Sequence, residues 1–250
     1  MKKIFNFLVL LFVFAACESD GSWDCIKASG TIIQEEIMLE SFEKLDVRHR
    51  VQLIVNQGDE QKVVLETGEH LKEKISFQVE NGTLQINNDN TCNLVRDYGI
   101  TKVYVTSPNI SQIRNGSGLA VLSEGVLAFP TLALLSEDTS VAGTIHTVGD
   151  FHLQLDVQSL TIVANNKSNF FLSGAAETAT FGFYSGDGRL EATNLTIQNL
   201  NIFQRSSNKM FVHPRQSLRG EIRGVGDVIS VHQPPVVEVE EFFTGRLIFE

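Results

Sequence analysis

Short apolar runs separated by small polar residues follow one another along the chain from about residue 30 onward. Val, Ile, Leu and Thr dominate the runs, and Gly, Asn, Asp and Ser dominate the interruptions, as in β-strands joined by tight turns. The first runs are 31–38, 47–55, 62–66, 75–79, 83–86 and 102–106. Asn81-Gly82 lies between two of them and favours a two-residue hairpin turn. Because only 41–45 and 68–74 have a helical pattern, the sequence predicts an all-β protein.

Between residues 107 and 234 the pattern becomes periodic, because each apolar run ends in small polar residues that lead directly into the next run. The equivalent points are Gly118, Ser140, Ser168, Gly188, Asn208 and Gly226. Successive points are 22, 28, 20, 20 and 18 residues apart, a period of about 20 that lies at the short end of those that solenoid repeats show. A near-constant period in an all-β chain predicts a solenoid whose coils bury one shared apolar interior. We expect a right-handed parallel β-helix, and the alternative is a β-sandwich, which also has short strands at regular intervals.

These patterns divide the chain into five segments. They are a signal peptide (1–16), a lipidated tether (17–29), an N-terminal region of β-hairpin strands (30–106), the β-helix repeats (107–234) and a C-terminal cap (235–250). The cap begins at a double proline and supplies a strand pair, which we expect to cover the backbone edge at the end of the solenoid.

The N-terminus has the pattern of a secretory signal. Lys2-Lys3 precede an apolar stretch from Ile4 to Phe14, and the small residues Ala15-Ala16 precede Cys17. The stretch is too short to cross a bilayer as a helix. A small-small-Cys word at this place resembles the lipobox of bacterial lipoproteins, so we expect cleavage before Cys17, acylation of its thiol, and anchoring of the protein to a membrane by lipid. The alternative is an ordinary signal peptide with a chance cysteine.

The charge and the remaining cysteines narrow the function further. The net charge is −10, and removal of residues 1–16 leaves 18 basic against 30 acidic residues, with no basic cluster that would hold a nucleic acid. Apart from the acylated Cys17, two cysteines remain, Cys25 and Cys92. Thiols of exported proteins meet an oxidising environment, so we expect these two to form a disulfide. Closing a loop of this length would contribute about 4 kcal/mol in the chain-entropy model.

Several short sequence motifs together resemble those of the head GIN domain family of auto-transporter adhesins. They are Asp24-Cys25, Gly68-Glu-His-Leu71, the stretch from Gln78 to Ile86, the stretch from Asn87 to Arg96, and Asn115-Gly-Ser-Gly118. The resemblance covers essentially the whole mature chain. It implies an exported β-helical protein of Gram-negative bacteria, often a lipoprotein, with an adhesive role and no catalytic residues to transfer. The Gly-Ser-Gly motif is clear only near residue 116. In later repeats it changes to Asp138-Thr-Ser140, to Lys167-Ser168-Asn169 and to the stretch from Arg205 to Asn208.

Residues that could carry chemistry are scattered. No two of the six histidines have a metal-binding spacing, and they are His49, His70, His146, His152, His213 and His232. Ser117 lacks the strand-turn-helix context of a nucleophile elbow. The glycine-rich segments 186–189 and 224–227 contain one carboxylate each, which is too few for a calcium-binding loop. No predicted helix follows either segment, so neither matches a phosphate-binding loop. We therefore expect no metal ion and no cofactor.

Two surface signals remain. A polysaccharide lyase or hydrolase on a β-helix would draw its acids and a basic residue from Glu137, Asp138, Asp187, Glu221, Asp227, Arg189 and Arg223. Aromatic residues recur at similar repeat positions, and they are Phe170, Phe171, Phe181, Phe183, Tyr184, Phe203 and Phe211. We expect most of these rings to pack inside, while any that face outward would bind sugar or protein. The sequence thus predicts a non-catalytic adhesin of the cell envelope, anchored by lipid to the outer membrane and facing either the periplasm or the cell surface. The alternatives are the β-helix enzyme or a structural envelope component.

Overall fold

The structure is a computed structural model that describes residues 27–90, 99–137 and 147–250. Over these ranges the chain forms one sheet of seventeen strands and a single 3-10 turn at Lys72–Lys74. The strands are β1 (Ile32–Glu36), β2 (Lys44–Arg48), β3 (Gln52–Gln57), β4 (Lys62–Gly68), β5 (Ile75–Glu80), β6 (Thr83–Asn88), β7 (Lys102–Ser107), β8 (Gln112–Gly116), β9 (Val121–Leu127), β10 (Thr131–Ser136), β11 (Phe151–Ala164), β12 (Phe170–Phe183), β13 (Leu190–Gln204), β14 (Met210–Ile222), β15 (Val228–Ser230), β16 (Val236–Glu241) and β17 (Leu247–Phe249). The all-β prediction is confirmed.

The second half of the chain stacks its strands in parallel. Each of β11, β12 and β13 pairs with the next strand along most of its length, and β14 pairs with β15 at its beginning and with β16 at its end. One column of directly paired residues runs through Phe151, Phe170, Leu190, Met210, Val228 and Leu247. Its members recur at a nearly constant spacing along the sequence, so each rung of the stack is one passage of about 20 residues, as in a solenoid with a short repeat.

The periodicity read from the sequence matches this pairing. Leu134 lies directly beside Ile113 in a parallel pair, as expected for stacked rungs and not for the opposing layers of a sandwich. Ile162, Phe181 and Ile202 continue the same column. The next member is Gly220, two residues before the position that the sequence pattern suggests, because the register between β13 and β14 shifts on the way. The observed architecture is a curled, open and mostly parallel sheet.

Strands from before residue 106 belong to the same stack. β2 pairs in parallel with β6 and β8, and β3 pairs in parallel with β7 and β9. The antiparallel pairs are β1–β4, β4–β7 and β5–β6. The β5–β6 hairpin turns at Asn81 and Gly82, whose φ angles of 50° and 71° confirm the predicted turn.

Two local expectations are wrong. The apolar run 47–55 is not one strand, because His49 and Arg50 have φ angles of 50° and 57° and turn the chain between β2 and β3. The segment 41–45 is not helical, since Leu45 is fully buried in β2 beside the equivalent residues of β6 and β8. Tertiary packing outweighs the weak helical pattern there.

The core lies between the faces of the stack and is filled from alternate positions of each strand. Phe151, Phe170, Phe181 and Phe183 are fully buried, and Phe151 and Phe170 stack at 4.8 Å between ring centroids. At the C-terminal end β16 pairs in parallel with β14, and β17 pairs in parallel with β15. The predicted capping strand pair therefore extends the stack as a further rung instead of closing it.

Candidate binding surface

The lipidation and disulfide residues, Cys17, Cys25 and Cys92, lie outside the described residues, as do Asp138 and His146. The signal peptide, the acylation, the disulfide and the five domain boundaries therefore stay predictions. Within the described ranges, the chain forms no helix that is long and apolar enough to span a bilayer.

Ser117 stabilises a corner of the stack. Its side chain is buried, its hydroxyl donates to Asn115 Oδ1 at 3.1 Å, and it accepts a hydrogen bond from the backbone N–H of Leu119 at 3.0 Å. The Asn115 amide closes the turn by donating to the Leu119 carbonyl at 2.9 Å. With its hydroxyl engaged by these groups, Ser117 has the contacts of a structural residue.

A second corner repeats this arrangement with different residues. Gln204 Nε2 donates to the Asn208 carbonyl at 2.8 Å, and the Ser206 N–H donates to Gln204 Oε1 at 3.4 Å. The buried Ser206 hydroxyl donates to the carbonyl of Gly188, in the preceding rung, at 2.9 Å. The stretch from Arg205 to Asn208 differs in sequence from the Gly-Ser-Gly motif, but it makes the same kind of hydrogen bonds at the corner.

The candidate acids do not share a site among the residues that the structure describes. Glu137 accepts a hydrogen bond from Arg114 at 3.0 Å, and Glu221 pairs with Arg223, which lies just after the end of β14. The other two lie in turns: Asp187 accepts from the Ser207 hydroxyl at 2.7 Å, and Asp227 accepts from the backbone N–H of Arg246 at 3.0 Å. Each acid is held by a local partner, which is the arrangement of turn and surface acids.

The histidines and the glycine-rich turns do not form a metal site in the described part of the chain. There, no three His, Cys, Asp or Glu side chains lie close enough together to hold a metal ion. The ring of His213 bonds to the carbonyl of Thr193 through Nδ1 at 3.1 Å, and His70 bonds to the carbonyl of Ala28 at 3.3 Å. The glycine-rich segments 186–189 and 224–227 lie in turns between rungs.

One carboxylate has a pKa that the structure clearly shifts. Glu66 in β4 lies between β1 and β7, where it accepts from Lys102 Nζ at 2.9 Å and from Gln34 Nε2 at 2.7 Å. The hydrogen bond from Lys102 is the main cause that holds the pKa of Glu66 below its usual range, with the Gln34 bond second. These hydrogen bonds join the antiparallel strands β1, β4 and β7. Among the described contacts of Glu66 there is no second carboxylate that could form a catalytic pair with it.

The aromatic residues divide between the two sides of the sheet. Phe170, Phe181 and Phe183 are buried, as expected, whereas Phe171 and Tyr184 are exposed. Alternation explains the division, because adjacent strand residues such as Phe170 and Phe171 point to opposite faces. The prediction that the rings pack inside is therefore correct for these three residues, and it is wrong for Phe171 and Tyr184 and for the half-buried Phe203 and Phe211, which lie on the outer side.

The exposed rings continue from rung to rung. His152, Phe171, Glu191 and Phe211 are paired in register on β11, β12, β13 and β14, on the outer side of the sheet. His152 and Phe171 stack with centroids 4.5 Å apart and planes 11° apart. We call His152, Phe171 and Phe211 the outer aromatic column.

An arginine completes this surface. The Arg189 guanidinium lies 4.7 Å from the ring centroid of Phe211, a cation–π distance, and its Nε donates to Glu191 Oε1 at 2.6 Å. The Arg189–Glu191 pair thus fills the rung between the two aromatic parts of the column. Sequence reasoning named Arg189 as a charge stabiliser for catalysis and missed this contact, which the regular spacing of the aromatic positions could have indicated.

Comparisons with known proteins agree with this architecture. The model of the family described as "Putative auto-transporter adhesin, head GIN domain" matches residues 41–234. A search of the curated proteins finds no match.

Solved structures resemble the chain over most of its length. A protein of Bacteroides fragilis described as a "putative adhesin" is 19% identical, with a TM-score of 0.78 over 90% of this chain and 100% of that one. A "putative lipid binding protein" of Parabacteroides distasonis is 14% identical, with a TM-score of 0.65 over 90% and 100% of the two chains. A "putative adhesin" of Parabacteroides merdae is 12% identical, with a TM-score of 0.57 over 88% and 97%. These identities show a shared fold, and together with the family match they lead to one conclusion: the chain belongs to the head GIN domain family of auto-transporter adhesins.

Proposed function

We propose that this chain is a lipid-anchored adhesin of the cell envelope, which binds a protein or glycan partner on the outer side of its parallel stack and carries out no catalysis. The family described as auto-transporter adhesins supports the adhesive role. The local pairing of every described candidate acid supports a binding role over a catalytic one.

The outer aromatic column is the observation that carries this proposal. Phe171 is 37% exposed although it lies in the middle of an ordered sheet, and His152 stacks on it from the neighbouring rung. A rigid ring pair can contact a ligand without losing much side-chain entropy on binding, which is why aromatic residues are enriched at binding hot spots. The Arg189–Glu191 pair beside it supplies polar contacts of both signs.

A comparison of two surface variants tests the proposal. Phe171→Ser removes the stacked ring, whereas Val225→Ser changes an apolar residue that is 51% exposed in a turn. We expect the mature wild-type chain and V225S to bind the same components of an array of extracellular-matrix proteins and charged oligosaccharides, and we expect F171S to lose that binding. If F171S binds as the wild type does, or if the wild type binds nothing on the array, the proposed site is wrong.

The lipid anchor and the envelope location rest on the N-terminal pattern, with cleavage before Cys17. Metabolic labelling with an azido fatty acid tests them, because the acylated protein takes up the label and fractionates with the outer membrane. Cys17→Ser should abolish the labelling and release the protein from the membrane fraction. A wild-type protein that stays unlabelled would contradict the anchor.

The Cys25–Cys92 disulfide gains support from the described residues that flank it. The backbone N–H of His70 donates to the carbonyl of Ser29 at 3.1 Å, and the Asn90 side chain donates to the carbonyl of Leu71 at 2.9 Å. Ser29, four positions after Cys25, and Asn90, two positions before Cys92, are therefore bound to the adjacent residues His70 and Leu71. These bonds bring the two segments that carry the cysteines close together. Mass spectrometry of the unreduced mature protein should find one peptide pair joined through these cysteines, and two free thiols would refute the pairing.

We further propose that the stack winds as a right-handed parallel β-helix. Consecutive rungs pair in parallel at a regular spacing along the sequence, and connections between parallel strands of one sheet are right-handed in nearly all proteins. An experimental structure of the mature chain tests the winding directly, and a left-handed coil would refute it.

A further inference from the structure

A second outer surface, distinct from the outer aromatic column, lies on the later halves of β12 and β13. Here Thr178 pairs with Asn199, and Thr180 pairs with Asn201, all on the outer side of the sheet and exposed. These four side chains form a patch of hydroxyl and amide groups that we call the neutral window. It lines a shallow depression together with Ser217 and Arg219 of the next rung.

The window keeps unused hydrogen-bonding capacity. In the described part of the chain, the side chains of Thr180 and Asn201 make no hydrogen bond. Thr178 donates to the carbonyl of Gln158 at 3.2 Å, and Asn199 Oδ1 accepts from the Ser217 hydroxyl at 2.8 Å, which leaves the Asn199 amide N–H groups available. Donors and acceptors therefore stand on two adjacent rungs, separated by about 4.8 Å between strands and about 6.7 Å along each strand.

The arginines on either side of the window along the stack are each paired with a carboxylate. Toward the N-terminal end of the stack Arg114 pairs with Glu137 at 3.0 Å, and toward the C-terminal end Arg219 pairs with Glu238 at 2.9 Å. Arg219 is the cation nearest the window in register, and its carboxylate partner lies in the following rung. Glu177 is exposed next to Thr178 and makes no ion pair in the described part of the chain, so it places a negative charge at one edge of the window. The window's own side chains are uncharged and suit an uncharged ligand rich in hydroxyl groups, whereas Glu177 would repel an acidic one.

An aromatic ring borders the window. Tyr184 is 45% exposed, and its ring lies on Gly182, where an added Cβ would come within 2.6 Å of ring carbon Cε2. The ring also packs at 5.2 Å from that of Phe203. Gly182 and Phe203 follow Thr180 and Asn201 by two positions on the same outer side, so the aromatic surface adjoins the polar one. Polar groups beside a flat apolar ring match the hydroxyl edge and the C–H face of a sugar.

We propose that the neutral window and Tyr184 form a binding site for a neutral glycan chain. Thr180 and Asn201 exchange hydrogen bonds with sugar hydroxyls, and Tyr184 lies against a sugar face. The site names a ligand class for the adhesin role and so rests on the proposed function, but it occupies a different surface from Phe171.

Calorimetric titration of the mature chain in detergent tests the site. The probes are hexasaccharides of neutral glucan, mannan, xylan and galactan, with oligogalacturonate as the acidic comparison. We expect one or more neutral probes to bind, and we expect Thr180→Ala, Asn201→Ala and Tyr184→Ala each to weaken binding about tenfold, the factor for one lost hydrogen bond or contact of ordinary strength. Asn194→Ala, which changes an exposed asparagine elsewhere on β13, should bind like the wild type.

The outcomes separate this site from the proposed adhesin surface. Loss of binding in the window variants, with F171S unaffected toward the neutral probes, supports the site. Binding of none of the neutral probes, binding of the acidic probe alone, or equal binding by the wild type and the window variants overturns it. If Phe171→Ser still abolishes array binding in that case, the proposed function survives and the glycan site does not. The four changed side chains are exposed, so unchanged thermal unfolding will show that each variant is folded.

Discussion

Phe170 and Phe171 are adjacent residues of the same type on opposite sides of the sheet, so they provide a matched test of the stacked architecture. Phe170 is 0% exposed, stacks on Phe151 at 4.8 Å and meets Phe183 edge-on at 5.5 Å, whereas Phe171 is 37% exposed. Phe170→Ala should lower the free energy of unfolding by about 3–5 kcal/mol, the usual cost of truncating a buried phenylalanine. Phe171→Ala should cost less than about 1.5 kcal/mol, because part of its ring is already in water.

Guanidinium denaturation followed by circular dichroism measures both costs. The midpoint should fall much further for F170A than for F171A, while the slope of the transition stays the same in both. A changed slope would indicate that rungs unfold separately, as repeat proteins can, and the comparison would then use the rung that melts first. Equal losses for the two variants, or a larger loss for F171A, would refute the assignment of inner and outer sides.

Three other changes test the corners and the pH dependence. Ser206→Ala leaves buried turn groups unpaired and should cost about 1–3 kcal/mol, while exposed Ser207→Ala should cost little; equal melting temperatures would contradict the buried role. Gly220→Ala puts a Cβ 1.9 Å from a carbonyl oxygen of the preceding rung, at a φ of 126°, so it should destabilise the chain strongly in thermal melts, and near-neutral behaviour would show a different rung contact. Glu66 has a lowered folded-state pKa, so its pairing with Lys102 stabilises the fold above the ordinary glutamate pKa and is lost as pH falls through the folded value. Glu66→Gln should therefore cost about 0.5–1 kcal/mol at pH 7 after solvent screening and flatten the acid limb of stability against pH, and an unchanged limb would refute the shift.

The repeat length and the inward residues could be predicted from the sequence because both depend on local alternation. The column from Ile113 through Leu134 to Ile202 follows from the apolar runs and their turn words. Gly220 shows where this reasoning fails, since a register shift between two strands depends on how their backbones fit and leaves no periodic signal.

The place of the N-terminal strands could not be predicted in the same way. β2 lies between β6 and β8, so strands distant in sequence are neighbours in space. Local propensity identifies each strand but not its partner, which is set by the burial of residues such as Leu45 against both neighbours. The hairpin at Asn81-Gly82 was predictable because its pairing is local.

The candidate surfaces were partly accessible to sequence reasoning. The recurrent aromatic positions pointed to rings at equivalent places, yet which rings face outward depended on the exact rung register. The neutral window gave no signal, because threonine and asparagine are common in strands and turns. Only the pairing of Thr180 with Asn201 brings these ordinary residues together.

Electron-spin distances along one outer column test the stacked rungs most directly. One column of paired residues runs from rung to rung through Thr161, Thr180, Asn201, Arg219 and Glu238. One nitroxide amino acid replaces Thr161, and a second replaces Asn201, Arg219 or Glu238 in turn. The backbone separations of these three pairs should be about 10, 14 and 19 Å, because each further rung adds one strand spacing. Separations that fail to rise in that order would contradict the parallel stack.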